Sequence, residues 1–335
     1  MIYGHGDDLF RYTDEIKYNF SSNVYYKGSP PELLTYISSA IDSVQNYPSP
    51  AAEELNEAVA KRFQLDKNHF LFTNGATEAF YLIAQMFSGK SAGIFAPTFT
   101  EYEDACKVHG LNYDLVDKTW LRPQDYHLVF ICNPNNPDGM IIPTKKLVQY
   151  MEHAPNTTFV IDEAYIEFTN QLKSLIALVE HFDNLIVVRS LTKTFAIPGI
   201  RLGYLAASPK TVERLLSKKM PWTVNALAIE AGLQLFGHYD QWLFNVEELL
   251  EETKAFVYEL SAINWLKVKP THTSYFLTEI KKGKASKLKE YLVKEHGILI
   301  RDATNFKRID GEYIRLSTQS KDANRALINA LKRWK

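Results

Sequence analysis

The chain holds two cysteines, Cys106 and Cys132, in 335 residues. They form no CxxC pair, and two are too few for a disulfide framework at this length, which excludes a disulfide-stapled scaffold. Charge of one sign is also missing: the net value is -1. That leaves no electrostatic case for nucleic acid or an anionic membrane surface as partner. No run of about 18 apolar residues occurs, which argues against a transmembrane helix. The first eight residues contain no basic segment followed by an apolar one, so no secretory signal is expected and the cytoplasm is the expected location. His5-Gly-Asp-Asp8 offers an imidazole and two carboxylates. No second ligand cluster answers it, so it reads as a polar turn or part of a pocket rim, and no metal is expected.

What is there belongs to an ordinary globular protein, with 46% hydrophobic and 23% charged residues. The length suits one large or two modest domains. From residue 69 a strand and helix rhythm begins. Strands are predicted over 70–73, 92–96, 128–132, 158–161, 184–188 and 203–207. Between the first two, Ala76, Ala79, Phe80, Ile83, Ala84 and Phe87 fall on one helical face. Short apolar strands alternating with helices predict an α/β fold whose large domain has a mostly parallel sheet. After residue 225 the rhythm changes. One or two long helices are predicted over 226–263, then strands near 266–268, 274–278, 298–301 and 313–317, with helices over 285–295 and 322–334. That pattern reads as a smaller α+β domain. The expected division is 1–45 as an N-terminal segment packing with the small domain, 46–225 as the large domain, and 226–335 as a long connecting helix plus the small domain.

Polar residues gather where predicted strands end: Asn74-Gly75, Asn136, Asp162 and Lys193. Open α/β sheets bind ligands at the carboxyl ends of their strands, so these segments can converge on one site. The stretch from Ser190 to Tyr204 carries a single lysine, Lys193, with hydroxyls at Ser190 and Thr192 and a guanidinium at Arg201. An amine beside hydroxyls and a guanidinium suits a cofactor bearing both an aldehyde and a phosphate. The lysine would form a Schiff base and its neighbours would hold the phosphate. Gly75, Ala76 and Thr77 open a helix and offer backbone N–H groups to the same phosphate. Asp162 ends a buried strand, where a carboxylate is costly unless it meets a cation or strong donors. A protonated ring nitrogen would serve. Tyr165 can bond a ring hydroxyl, an aromatic from Phe99 to Tyr102 can stack on the ring, and Arg315 can take a carboxylate. Taken singly, each has a plainer reading as loop, helix start or salt bridge. Their convergence is the argument.

Four motifs, Asn-Gly-Ala-Thr-Glu (74–78), Asn-Pro-Asn-Asn-Pro-x-Gly (133–139), Asp-Glu-Ala-Tyr (162–165) and Ser-Leu-Thr-Lys (190–193) followed by Arg-Leu-Gly-Tyr (201–204), occur together and in this order. In that arrangement the chain resembles the fold-type I enzymes that use pyridoxal 5′-phosphate (PLP), in the aminotransferase class I/II superfamily. The resemblance covers nearly the whole chain and implies the PLP-dependent transferase fold. It implies that Lys193 carries the cofactor and shuttles protons at the substrate α-carbon, and that Asp162 keeps the pyridinium nitrogen protonated. Tyr165 and Asn136 would bond the ring oxygen. Gly75, Ala76, Thr77, Ser190, Thr192 and Arg201 would form the phosphate cup, and Tyr102, rather than Phe99, would stack on the ring. Tyr47 would reach the phosphate of a neighbouring subunit, which implies a homodimer. Arg315 would hold the substrate carboxylate, Arg301 a substrate phosphate, and Asn23 and His5 would complete the substrate site.

Two branches of the superfamily compete: threonine-phosphate decarboxylase, a step towards the aminopropanol linker of cobalamin, and histidinol-phosphate aminotransferase. The 196–205 and 220–228 segments and the start at His5-Gly6 are more similar to the decarboxylase, which makes decarboxylation of L-threonine O-3-phosphate the expected reaction and transamination the alternative. In either case the expected substrate is a small phosphorylated amino acid or amine. Asp138 stands where the family usually has Thr, and Gln319 where a second arginine is expected. Which bond breaks depends on which bond at the α-carbon lies perpendicular to the ring, and sequence does not report that rotation.

Overall fold

The five-residue run Leu-Val-Phe-Ile-Cys at 128–132 buries all five side chains, as a strand covered on both faces requires. Its neighbours bury four of their five, and the computed structural model, which describes residues 6–13, 15–117 and 122–334, assembles these strands into one sheet. In chain order the strands are β1 (Tyr18–Asn19), β2 (Phe70–Asn74), β3 (Ser91–Phe95), β4 (Asn112–Val116), β5 (Leu128–Cys132), β6 (Thr158–Asp162), β7 (Leu185–Ser190) and β8 (Leu202–Ala207). They continue with β9 (Leu266–Val268), β10 (Tyr275–Ile280), β11 (Ile298–Leu299), β12 (Arg301–Asp302) and β13 (Tyr313–Ser317). Seven form the large sheet in the order β2-β8-β7-β6-β5-β3-β4. The pairs among β7, β6, β5, β3 and β4 are parallel, and β8 runs antiparallel between β2 and β7. The chain therefore has the α/β architecture with a mostly parallel sheet that its rhythm predicts. One strand of this sheet was not anticipated: β4, Asn-Tyr-Asp-Leu-Val, lies at the sheet edge with alternating exposure. Half-solvated edge strands lack the continuous apolar run by which the others are recognised.

Two apolar layers sandwich this sheet, one built on Leu55, Phe72, Tyr204 and Leu235, the other on Phe80, Ile94, Tyr102 and Leu128. A second sheet, β12-β13-β10-β9, is antiparallel and packs with the helices Val246–Ser261, Ala285–His296 and Lys321–Arg333 around Phe256, Leu288 and Leu327. The N-terminal β1 pairs in parallel with β11, and Phe20 is buried in that second core. Both outer boundaries of the expected division shift. The Pro31–Ser39 helix buries Leu33 against the large sheet's core, not the small one. Ala228, Ile229, Leu235 and Tyr239 belong to the large core too, so the second unit starts after the short helix Tyr239–Trp242 rather than at 226. The 226–263 stretch, expected as one or two long helices, forms two, Ala226–Gly237 and Val246–Ser261, with the short helix Tyr239–Trp242 between them; the Asn245 side chain caps the second by accepting from the N–H groups of Glu247 and Glu248. Among the described residues no helix is long and apolar enough to cross a membrane.

Candidate active site

Lys193 sits on a helical turn of four residues, Leu191–Thr194, directly after β7. So short a turn cannot hold itself, because nucleating a helix costs more than one hydrogen bond returns. It is fastened from outside: the N–H of Tyr25 donates to the Lys193 carbonyl at 3.0 Å, and the hydroxyls of Ser190 and Thr192 bond each other at 3.0 Å. Burial brings the Lys193 ammonium down to about 8, helped by the nearby cations Arg201 and Arg315 and opposed by Asp7 and Asp162. An amine of that kind is substantially neutral at mildly alkaline pH, as a carbonyl-capturing nucleophile must be.

Arg201 lies in the left-handed region at φ 62°, between a 3-10 turn and β8, and lines the same cavity as Lys193. Its guanidinium lies against the start of the Gly75–Met86 helix. A Cβ on Gly75, whose φ is +74°, would stand 2.4 Å from Arg201 Nη2, so only glycine admits this approach. Helix start and guanidinium thus converge on one point, with Thr77, Ser190 and Thr192 beside it. Backbone N–H groups, hydroxyls and a guanidinium together form a phosphate-binding set.

Asp162 closes β6 and is 4% exposed. Its Oδ1 accepts from the Ala164 N–H at 2.9 Å and its Oδ2 from the Tyr102 hydroxyl at 2.5 Å. Burial still pushes its carboxyl up to about 6, against these two donors and the pull of Lys193. Among the described residues this carboxylate has no counter-charge in contact, and a cation would relieve it. It faces a cavity of about 110 Å³ whose wall includes Lys193, Tyr165, Asn136 and Phe99. A wider cavity of about 450 Å³ shares those last four residues and Thr77, and adds Asn23, Asp7, Glu101 and Arg315.

The wider cavity contains the strongest signs of an anion-binding site. Arg315, 5% exposed on β13, donates from Nη1 to Asn136 Oδ1 at 2.6 Å and from Nη2 to the Ser21 carbonyl at 2.5 Å. Its Nε is buried without a hydrogen-bond partner, and among the described residues it makes no ion pair. The Asn23 amide, 3% exposed, is likewise buried and makes no hydrogen bond of good geometry, though it lies within reach of the Tyr165 hydroxyl and helps hold that group's pKa down. Buried polar groups are ordinarily satisfied, so this cluster calls for a ligand.

Most sequence-predicted site residues thus surround one place, and the exceptions are informative. Tyr102 does not stack on a ligand. It is fully buried, its ring lies on Phe130 at 5.2 Å and 7°, and it lines neither cavity. Phe99, three residues earlier and hence a turn away at the start of the Glu101–Val108 helix, is the aromatic in the cavity wall. Tyr47 is 86% exposed and lies against Trp222, away from its own chain's cavity. Arg301 pairs in register with Arg315 across β12 and β13, but its guanidinium turns aside to the Asp302 carbonyl and to Asn305. His5 lies outside the described residues. Asp138, the unusual residue of the 133–139 loop, accepts from Asn135 Nδ2 at 2.7 Å and the Met140 N–H at 3.1 Å, so its carboxylate braces the loop. Asp7 lies in the 5–8 segment for which a pocket rim was one expected reading; Glu101 was missed as a cavity residue, and nothing in its sequence surroundings distinguishes it from a surface acid.

Known proteins were compared with this arrangement. The family model for aminotransferase class I and II matches residues 15–331. The structure superposes on L-threonine-O-3-phosphate decarboxylase from Porphyromonas gingivalis with a TM-score of 0.90 and 36% identity, covering 94% of this chain and 98% of that one. A histidinol-phosphate aminotransferase of Caldanaerobacter subterraneus subsp. tengcongensis is 32% identical over 94% of this chain and 92% of its own length. The threonine-phosphate decarboxylase of Salmonella typhimurium is 29% identical over 94% and 90%. A match spanning nearly the whole chain, on a fold whose strand ends bring a lysine, an aspartate and a phosphate-binding set together, places this chain among the enzymes of the aminotransferase class I and II family, whose cofactor is pyridoxal 5′-phosphate.

Proposed function

We propose that the enzyme decarboxylates L-threonine O-3-phosphate or a close analogue, giving an aminopropanol phosphate for cobalamin synthesis. The observation that carries this reading is Arg315: a buried guanidinium without an acidic partner among the described residues, its Nε unsatisfied, on the wall of the cavity that holds Lys193. It fits the carboxylate of an amino acid. The adjacent Asn23 amide and the positive field of Arg301 suit a second anionic group such as a phosphate ester.

The residues fit the cofactor. The space a Gly75 Cβ would fill is given to Arg201, and Asp162 is a buried carboxylate awaiting a cation. Gly75, Ala76, Thr77, Ser190, Thr192 and Arg201 would hold the phosphate, and Asp162 the ring nitrogen. Tyr165 and Asn136 would hold the ring oxygen, with Phe99 against the ring face. When bound, PLP supplies an electron sink for the bond broken at the amino-bearing carbon. Arg315 and Asn23 orient the substrate so that its carboxylate bond is the one aligned for cleavage. Lys193, its amine near 8, then delivers a proton to the α-carbon. The Tyr165 hydroxyl, pushed up to about 12 chiefly by burial, stays protonated and donates.

Transamination is the second reading, favoured by the similarity to histidinol-phosphate aminotransferases. A homodimer belongs to the proposal as well. Tyr47, Trp222, Met220, Ile41 and Val44 are exposed apolar side chains on neighbouring segments, a surface suited to a second copy. We place the reaction in the cytoplasm, in keeping with two free buried thiols.

The test adds threonine O-3-phosphate to PLP-loaded enzyme without a keto acid. Continued CO₂ release supports the decarboxylase. One amino-group transfer per site with no CO₂ makes the enzyme an aminotransferase.

A further inference from the structure

Behind the cofactor site lies a second polar cluster that the proposed chemistry does not touch. Three of its members are the sequence neighbours of site residues: Glu163 follows Asp162, Arg189 precedes Ser190, and Thr194 follows Lys193. Side chains alternate along a strand, so when Asp162 and Ser190 face the cavity, Glu163 and Arg189 face the opposite side. There they meet. Arg189, 4% exposed, pairs with Glu167 and lies 3.6 Å from Glu163, and it donates to Ser174 Oγ at 3.3 Å and to the Tyr239 hydroxyl at 3.2 Å. Glu163, 2% exposed, accepts from Ser174 Oγ at 2.5 Å and from the Leu175 N–H at 2.7 Å. Glu167 accepts from the Tyr239 hydroxyl at 2.6 Å and, through its other oxygen, from Thr194 Oγ1 at 3.2 Å. Tyr239 is itself clamped, with the Arg62 guanidinium 3.8 Å from its ring centroid.

Two carboxylates and one guanidinium out of water are an expensive way to fill a core. Apolar side chains of similar volume would usually serve stability as well or better. What the cluster supplies is connection. It ties the end of β6, the end of β7 and the four-residue turn of Lys193 to one another and to the helix Tyr239–Trp242. Among the described residues that turn has no other side-chain hydrogen bond to the segment that follows β6.

We propose that Glu163, Arg189, Glu167 and Thr194 are positioning residues, a buried clasp that fixes where Lys193 and Asp162 stand relative to each other. Burial lifts the Glu163 carboxyl to about 7, against the pull of Arg189, so the clasp holds its charge less firmly in mild acid. The inference rests on Lys193 being the cofactor lysine.

The experiment uses the PLP-loaded enzyme and three variants. Thr194→Val removes the hydroxyl and keeps the shape, Thr194→Ser keeps the hydroxyl, and Glu163→Gln removes one charge. The readouts are the pH midpoint of the visible band of the lysine-bound cofactor, kcat and KM separately, and the melting temperature of the cofactor-free protein. Thr194→Val is expected to move the pH midpoint and to lower kcat roughly tenfold with KM little changed, the scale of one hydrogen bond to a charged group. Thr194→Ser restores both, and Glu163→Gln moves the same midpoint. Unmoved midpoints and wild-type kcat in both Thr194→Val and Glu163→Gln overturn the proposal, even if both melt earlier, because the cluster is then a matter of stability alone. Lys193→Ala separates the two layers: a visible band that persists and titrates without the lysine would refute the lysine assignment itself.

Discussion

Replacing Asp162 by asparagine is expected to stabilise the cofactor-free protein while depriving it of its cofactor. Burial lifts this carboxyl from its ordinary 3.8 to about 6, so the native state holds the proton more tightly than the unfolded chain does. Between those values the unfolded chain binds fewer protons than the native one. Stability therefore falls as pH rises through the window, and the full penalty stands above it. Roughly two pH units at about 1.4 kcal/mol each give a cost of about 3 kcal/mol at neutral pH. Asparagine removes the charge and keeps an oxygen for the Ala164 N–H, and the Tyr102 hydroxyl can rotate to accept from the new amide. Thermal melts of cofactor-free wild type and Asp162→Asn between pH 5 and 8 are the assay. The variant should melt higher at pH 8, with the gap closing as pH falls. PLP should reverse the order, because a carboxylate facing a protonated ring nitrogen stabilises the wild type and an amide does not. A variant that melts with or below wild type at pH 8, or a gap that ignores pH, would refute the claim that the aspartate is held ionised at a cost.

Two further outcomes follow from the site. Tyr102→Phe removes the donor on Asp162 Oδ2, a bond to a charged group worth about 1.5–3 kcal/mol. PLP retention should then fail at a higher pH than in wild type, and equal retention profiles would return Tyr102 to a packing role. Tyr47→Phe should weaken PLP retention without changing the monomer's melt, as a contact made across a dimer requires. Retention equal to wild type in a protein that sediments as a dimer would count against that contact.

Much of the site was legible because its residues sit at strand ends, and strand ends can be read from apolar runs. Asp162, Lys193 and Gly75 each follow such a run, and parallel strands bring them to one edge of the sheet. Glycine at 75 had a reason that only the folded chain supplies: a φ of +74° together with the close approach of the Arg201 guanidinium, far along the sequence. The choice between Phe99 and Tyr102 was beyond sequence for a similar cause. Both are aromatic, three residues apart, and which one faces the cavity depends on how the first turn of the helix leaves β3. The structure turns the phenol inward, where its hydroxyl serves Asp162, and leaves the plain ring in the wall.

By itself the sequence determined the α/β class, most of the strands and the family, and it singled out Lys193, because each is a local pattern of apolar spacing or a short motif. Where the domains divide, which way Arg301 turns, and that Glu163, Arg189 and Thr194 meet behind the site were decided by tertiary structure. The Arg189–Glu167 and Thr194–Glu167 contacts join residues more than 20 positions apart. Contacts of that kind leave no periodicity in the chain: they exist only once the sheet has brought its strand ends side by side.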